Sequence, residues 1–277
     1  VGKGMPAQNF LNLDKEDKVV SIVPLDEYGE NSYLFFVMKL GVVKRTSLAE
    51  FASIHSNGKI AVSLREGDDL FDVKKTDGNS IISLASSNGK LCSFNEEDVR
   101  SMGRTAAGVR GMDLSDGSEI VGATGSFEGR LLLVLTNKGY GKMGYAEDTD
   151  ITLEDGSPRH YDGSRLTKRG AKGVATIALN SKIGSLVAVK AVSTEDDLLV
   201  ITKKGIVIRT PLSEIKIAGR NTQGVKIINV EDKDSVASIA ILPHEDPSEE
   251  GEEGAEGEQT PGETLIDESP VTPDAVE

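Results

Sequence analysis

The sequence contains no tryptophan, one cysteine and three histidines in 277 residues. The single cysteine, Cys92, excludes an internal disulfide and a cysteine-built metal site, and it fits a core position in a protein of a reducing compartment. The histidines lie far apart and in unrelated repeat positions, and no serine or cysteine shows a catalytic partner, so no residues point to nucleophilic catalysis. The longest apolar run, Leu131 to Leu135, is too short to cross a bilayer, and there is no secretory signal. We expect a cytoplasmic, non-catalytic protein that binds no cofactor or metal.

Negative charge is concentrated at one end of the chain. The formal net charge is −14, yet residues 245–277 hold 13 acidic residues and no lysine or arginine. The preceding 244 residues carry 31 basic and 32 acidic side chains, so the body of the chain is nearly neutral. Few apolar residues and several prolines predict that the acidic segment is disordered. We therefore predict a folded domain over 1–244 and a disordered tail over 245–277. Because the sequence opens at Val1 in mid-pattern, we also expect it to be a piece of a longer protein.

Four segments repeat the pattern of a strand, a tight glycine turn and a second strand, which predicts antiparallel hairpins. Their turn glycines are spaced by 48, 50 and 66 residues, and the long spacing contains a polar stretch, 147–166, that we interpret as an inserted loop. The hairpin segments are 33–46, 80–94, 131–144 and 198–210, with turn glycines Gly41, Gly89, Gly139 and Gly205.

A second element recurs between the hairpins, and we call its copies the glycine–basic segments. Each has a glycine close to a lysine or arginine, then an alternating apolar strand, and a further strand follows it. The first to fifth copies are 2–13, 57–64, 103–114, 168–179 and 219–230.

Together the two elements predict four-stranded antiparallel sheets that pack face to face, as in a propeller. The absence of a Trp-Asp signature excludes the WD40 class. We predict repeats over about 1–55, 56–102, 103–166 and 167–217. A half repeat over 218–242 follows, and we expect its strand pair to have no partner.

Two other patterns have competing explanations. The run from Gly139 to Gly144 matches Gly-x-Gly-x-x-Gly, but a dinucleotide-binding fingerprint needs a strand before it and a helix after it. This run instead lies within a predicted hairpin, so we do not expect it to bind a dinucleotide. Acidic pairs such as Asp148 with Asp150 could hold a metal, but their positions at strand ends favour a role as turn residues.

Two stretches carry a resemblance to a known family: DVRSMGRTAAGVRG, from Asp98, and IVIRTPLSEIKIAGRNTQGV, from Ile206. They closely resemble the C-terminal, DNA-wrapping domain of bacterial DNA gyrase A, a type IIA topoisomerase, and the likeness extends over residues 1 to about 242. An acidic tail is also typical of that family. The resemblance implies an all-β β-pinwheel, with about four complete blades and a half repeat, whose rim wraps duplex DNA without sequence specificity. The family's first repeat, which carries its Gln-basic-Arg-Gly-Gly-basic-Gly box, is missing, and 167–173 looks like a degenerate copy of that box.

The resemblance also implies partners: duplex DNA, the remainder of gyrase A, and gyrase B in an A2B2 holoenzyme whose catalytic residues lie outside this domain. DNA wrapping requires cations spaced along a surface, so the candidate ligands of phosphate are the basic residues that recur at matching positions. In the glycine–basic segments these are Lys3, Lys59, Arg104, Arg110, Lys168, Arg169, Lys172, Arg220 and Lys226, and after the hairpin turns they are Lys44, Arg45, Lys90, Lys142 and Arg209.

Three alternatives remain open at this point. The chain could be the corresponding domain of topoisomerase IV, or a propeller-like scaffold that binds proteins while its cations merely solvate the surface.

We further predict that the acidic tail restrains DNA binding by competing for the basic residues, and the alternative is a tail that only increases solubility.

Overall fold

The computed structural model describes residues 13, 16–25, 31–53, 58–153 and 155–244. Lys3, nearly all of the first glycine–basic segment and the tail over 245–277, for which we predict disorder, lie outside the described residues. The fold described below belongs to the unit Val1–Pro243. No helix in the described part of the chain is long and apolar enough to span a membrane.

The described residues form 17 strands and four short 3₁₀ helices, so the predicted all-β class is confirmed. The 3₁₀ helices are Leu48–Phe51, Glu96–Asp98, Ser126–Glu128 and Leu212–Glu214. The strands are β1 Tyr33–Met38, β2 Val42–Ser47, β3 Leu70–Thr76, β4 Ile81–Ser86, β5 Lys90–Asn95, β6 Val109–Arg110, β7 Ile120–Gly125, β8 Leu131–Thr136, β9 Tyr140–Tyr145, β10 Thr149–Thr152, β11 Pro158–Tyr161, β12 Val174–Ala175, β13 Leu186–Val192, β14 Asp196–Thr202, β15 Val207–Pro211, β16 Val225–Lys226 and β17 Val236–Pro243.

The strands make four main antiparallel sheets. The strand orders are β3-β1-β2-β6 in the first sheet, β7-β4-β5-β12 in the second, β13-β8-β9-β16 in the third and β17-β14-β15 in the fourth. A separate hairpin, β10 with β11, occupies the inserted loop. Every main sheet is built around one of the four predicted hairpins, with the strand that follows the hairpin as its outer strand.

The hairpins form because their turns and their apolar pattern agree. Gly41, Gly89 and Gly139 have φ values of +80°, +81° and +77°, which glycine adopts at no steric cost in a tight turn. The central strands are apolar on both faces because each face packs against another part of the chain. In β1, for example, Phe35 packs towards the second sheet while Phe36 packs on the opposite face.

The glycine–basic segments do not close the sheet of the nearest hairpin. The strand of the third segment, β6, pairs with β2, that of the fourth, β12, pairs with β5, and that of the fifth, β16, pairs with β9. A glycine just before each strand makes this approach possible, because a Cβ on Gly224 would clash with the carbonyl oxygen of Gly141. Gly108 and Gly173 are in the same close contact with β2 and β5. Each four-stranded sheet therefore contains a strand from a later repeat.

This exchange shows that the prediction of an unpartnered strand pair over 218–242 is wrong. Residues 225–226 complete the third sheet, and Val236–Pro243 pairs with β14 of the fourth. The predicted number of complete blades is also too high for the described residues, which contain three four-stranded sheets and one of three strands. The reason is that proximity in sequence assigns each segment to the hairpin beside it, whereas the fold pairs it with an earlier one.

Candidate nucleic-acid interface

The second to fifth glycine–basic segments contact one another in a continuous row across the sheets. The hydroxyl of Ser63 donates to the carbonyl oxygen of Thr105 at 2.7 Å, which joins the second segment to the third. The N–H of Asp113 donates to Ala171 O at 3.0 Å, which joins the third to the fourth. The N–H of Ala178 donates to Thr222 O at 3.0 Å, which joins the fourth to the fifth. We call this continuous surface the segment row.

The third, fourth and fifth segments also have the same backbone geometry. The residue just before each segment donates its N–H to a hairpin carbonyl: Met102 to Arg45, Thr167 to Ser93 and Ala218 to Met143, at 2.7 to 2.9 Å. Counting from these bonds, Arg104, Arg169 and Arg220 occupy one equivalent position, and Arg110 and Lys226 occupy another. The predicted recurrence of cations is therefore a recurrence in space as well as in sequence.

Four of the predicted cations are exposed on the segment row: Arg110, Lys168, Lys172 and Lys226. None of the four side chains has a hydrogen bond or an ion pair to another described residue. A carboxylate does lie near two of them. The pKa of Asp113 is below its usual range, chiefly because the N–H of Ser115 donates to its carboxylate, and the charges of Lys172 and Arg110 contribute further.

Two arginines hold neighbouring segments together. The Nε of Arg169 donates to Asp98 O at 2.9 Å, and its Nη1 donates to Arg110 O at 2.6 Å. In the same way Arg104 Nη1 donates to Ile60 O at 3.2 Å. Both side chains are half-buried, so these arginines keep their charge at the surface while some of their donors are used inside the protein. Arg220 and Lys59 are likewise half-buried.

The burial of Lys44 and Lys142 argues against their predicted role as phosphate ligands. Their exposed fractions are 0% and 1%, and their ammonium groups donate to backbone carbonyls of the glycine–basic segments. Burial lowers the pKa of both lysines to about 8; for Lys44 the charge of Arg104 lowers it further, while that of Glu50 acts in the opposite direction. They lie beneath the segment row, where their ammonium groups contact the loops of its segments.

Arg45 and Arg209 are paired with carboxylates. Arg45 stacks over the ring of Tyr33, 4.6 Å from its centroid, and its Nη1 lies 3.9 Å from the buried carboxylate of Glu96. Arg209 Nε donates to Asp197 Oδ2 at 2.6 Å. These contacts make both arginines less available to an external anion than the four exposed cations of the row.

The inserted hairpin contains a cluster that the sequence interpretation missed. The Nδ1 of His160 lies 2.8 Å from Asp150 Oδ1, and ligand atoms of Asp148, His160 and Asp162 lie within 4.8 Å of one another. The hydrogen bond with Asp150 raises the pKa of the exposed imidazole. The sequence pattern favours only a turn role for Asp148 and Asp150. The signal that could have found the cluster is the pairing of positions 149–152 with 158–161 across a hairpin, which places Asp150 opposite His160.

The Gly-x-Gly-x-x-Gly run lies in the hairpin of β8 and β9, as expected.

The model of the family described as DNA gyrase C-terminal domain, beta-propeller, matches residues 1–26, 32–77, 81–124, 165–193 and 196–243. The chain belongs to this family. The resemblance found in the sequence is thus confirmed, and so is the β-pinwheel class of fold.

Curated relatives and solved structures agree with this assignment. DNA gyrase A of Ureaplasma parvum is 45% identical over 87% of the chain, and that of Mycoplasma genitalium is 39% identical over 88%. The chain spans only 27% of the length of each of these relatives. Among solved structures, a DNA topoisomerase IV C-terminal domain superposes with a TM-score of 0.74 at 23% identity, covering 89% of this chain and 73% of the other. A DNA gyrase A C-terminal domain superposes with a TM-score of 0.69 at 24% identity, covering 87% and 75%.

Proposed function

We propose that this gyrase-family domain binds and wraps duplex DNA without sequence specificity, with the segment row as its contact surface. The observation that carries the proposal is the continuity of the row: four segments contact each other in succession and expose Arg110, Lys168, Lys172 and Lys226. The DNA backbone carries one charge per roughly 1.7 Å of helix axis, so a long surface of spaced cations is what it requires. Isolated basic residues on unconnected turns would not provide such a surface.

The chemistry of the row favours the backbone over the bases. Its exposed cations are held on short loops and two-residue strands, and the described residues contain no α-helix that could enter a major groove. Lysine and arginine on such loops neutralise phosphates and position a duplex, but they do not by themselves distinguish one base pair from another. We therefore expect binding that depends on salt and is nearly independent of sequence.

Within a whole protein, the domain would present a DNA segment to a cleavage core that it does not itself contain. The support for this proposal is the identity of its relatives, which are DNA gyrase A proteins of which the chain covers only 27%. The remainder of gyrase A, gyrase B and an A2B2 holoenzyme are the partners we propose on this basis. We assign no catalytic residue to the chain.

The proposal is tested with a matched pair of variants. Lys168→Gln with Lys172→Gln removes two exposed charges from the row, whereas Lys75→Gln with Lys190→Gln removes two charges from β3 and β13, at the opposite edges of their sheets. Arg169 is left unchanged because it also joins two segments. We expect the first pair to weaken duplex binding equally for unrelated sequences and to reduce the slope of log affinity against log salt by about 0.9 for each lost phosphate contact. The second pair should bind like the unaltered chain.

The same titration separates the competing functions. A protein-interaction scaffold would show no linear fall of log affinity with log salt, and equal losses from both variant pairs would mean that the row has no special role. The topoisomerase IV alternative rests on a likeness of fold at 23% identity, whereas the gyrase A relatives reach 45%. We therefore favour the gyrase assignment.

A further inference from the structure

One position beneath the segment row is a buried lysine in two of the three four-stranded sheets and a cysteine in the other. It is the third residue after the turn glycine of a hairpin, and it is Lys44 in the first sheet, Cys92 in the second and Lys142 in the third. All three side chains are buried and face the glycine–basic segment that closes the sheet. The position therefore determines what each segment rests on.

Lys142 makes two bonds to the fifth segment. Its Nζ donates to Gly219 O at 2.5 Å and to Thr222 Oγ1 at 3.1 Å, 77 and 80 residues away in sequence. Lys44 Nζ makes the equivalent bonds in the first sheet, to Ala61 O at 2.5 Å in the second segment and to Arg104 O in the third. Each ammonium group thus ties a buried strand to the loops above it, and Gly219 O also accepts from the N–H and the hydroxyl of Thr222.

A residue that only filled space at this position would be apolar. Burying an ammonium group costs free energy unless its donors find acceptors, and a lysine offers three donors at the end of a flexible stem. In the second sheet the thiol of Cys92 lies 3.8 Å from Lys168 O, a weak contact. There Arg169 holds the fourth segment instead, through its bonds to Asp98 O and Arg110 O.

We propose that Lys44 and Lys142 are positioning residues, which hold the segments above them so that the exposed Arg110 and Lys226 face the phosphates of a bound duplex. The proposal rests on the DNA-binding function proposed above. It adds to that function a role for two buried residues, because these lysines act through the segments and do not contact DNA themselves.

The first test is Lys142→Met, which keeps an unbranched side chain and removes the donors. We expect the backbone amides of 219–226 to exchange hydrogen about tenfold faster, as the loss of a bond from a charged donor implies, while those of β8 keep their protection. Lys142→Arg should restore most of the protection. Thr222→Val removes the exposed acceptor of the bond from Lys142 Nζ and should increase exchange at 219–226 by a smaller factor. This variant tests the proposal if Lys142→Met fails to fold. Unchanged exchange at 219–226 in both variants would overturn the proposal.

The second test separates positioning from direct contact with DNA. Lys142→Met should weaken duplex binding about three- to tenfold. In a background of Arg220→Gln with Lys226→Gln, it should have no further effect, because the cations that it positions are already gone. A loss that adds fully to that of the background would show that Lys142 acts on DNA directly, and would also overturn the proposal. Lys190→Met, which removes the same charge elsewhere, is the control.

The two tests also distinguish this proposal from the proposed function. If the unaltered chain binds no duplex at low salt, the DNA-binding function fails, yet the exchange measurement still reports whether the lysines hold the segments. If the chain binds duplex but the exchange is unchanged, only the positioning role fails.

Discussion

The second sheet carries smaller side chains than the first and third at matched positions. Where the first sheet has Phe35 and the third has Leu133, the second has Ser83. Where they have Lys44 and Lys142, it has Cys92. The interface between the first and second sheets is accordingly filled by large apolar groups, with the rings of Phe35 and Phe94 6.5 Å apart.

The interface between the second and third sheets also has an apolar cluster, which includes Ala85, Leu91, Leu132 and Val134, but beside it lies an open cavity of about 390 Å³. Ser83, Ser93 and Thr124, which lie side by side on the second sheet, form one wall, and Arg130 and Arg165 are also among the lining residues. The comparison teaches that the same backbone repeat tolerates a hydroxyl-lined cavity beside one apolar interface and none beside the other. Side chains at matched positions of the two interfaces should therefore contribute very different amounts of stability.

The largest expected difference concerns the matched pair Phe35→Ala and Ser83→Ala. Phe35 is fully buried, so its truncation should lower the free energy of unfolding by about 3–5 kcal/mol. Ser83→Ala removes only the hydroxyl that lies 2.8 Å from Ser93 Oγ and should cost about 1 kcal/mol. Urea unfolding followed by far-ultraviolet circular dichroism measures both. Equal losses would show that the two interfaces are equivalent after all.

A second expected difference is the direction of a pH dependence, because burial lowers the pKa of the two lysines and raises that of the Cys92 thiol, so that the two kinds of residue act oppositely as pH rises. The pKa of Lys44 and Lys142 is lowered to about 8 in the folded chain and is near 10.5 in the unfolded chain. Between these values the unfolded chain binds more protons, so stability should rise as pH increases from about 8 towards 10. Below pH 7 both states are protonated and this contribution is constant. The urea midpoint at pH 7 and pH 9.5 checks it, with Lys44→Met plus Lys142→Met as the variant in which the rise should shrink.

The smallest expected difference concerns two threonine hydroxyls. Thr46 is fully buried and its Oγ1 has no hydrogen-bond partner among the described residues, so Thr46→Val should stabilise the chain by about 1 kcal/mol. The hydroxyl of Thr124 faces the cavity, which is large enough to admit water, so Thr124→Val should change stability by less than about 0.5 kcal/mol. Calorimetry of the two variants resolves the difference. A larger gain from Thr124→Val would mean that the cavity is dry.

The hairpins could be predicted from the sequence because their signals are local. Turn glycines such as Gly41 and Gly139, with alternating apolar residues on either side, determine strand and turn within one short stretch of chain. The pairing of the two-residue strands could not be predicted in the same way. Nothing in the few residues of β6 and β12 distinguishes the hairpin beside them from an earlier one, and this choice depends on the packing of whole sheets.

The candidate interface was predicted only in part. Recurrence in sequence located the glycine–basic segments, and Arg110, Lys168, Lys172 and Lys226 are exposed there. Recurrence did not separate these exposed cations from the buried lysines of β2 and β9. Strand parity could not have done so, because Val42 and Val43 are both buried and so both faces of β2 are covered.

The pairing of strands across repeats has a consequence for how the chain folds while it is being made. Val42 in β2 is synthesised long before its partner Arg110 in β6. At about 5–20 residues per second, the edge of the first sheet waits roughly 3–14 seconds for its last strand. During that interval an open strand edge is available to wrong partners, including the same edge of a neighbouring nascent chain. The order in which the ribosome releases the repeats therefore matters for the yield of correctly folded protein, and each of the first three hairpins is protected only when a later repeat arrives.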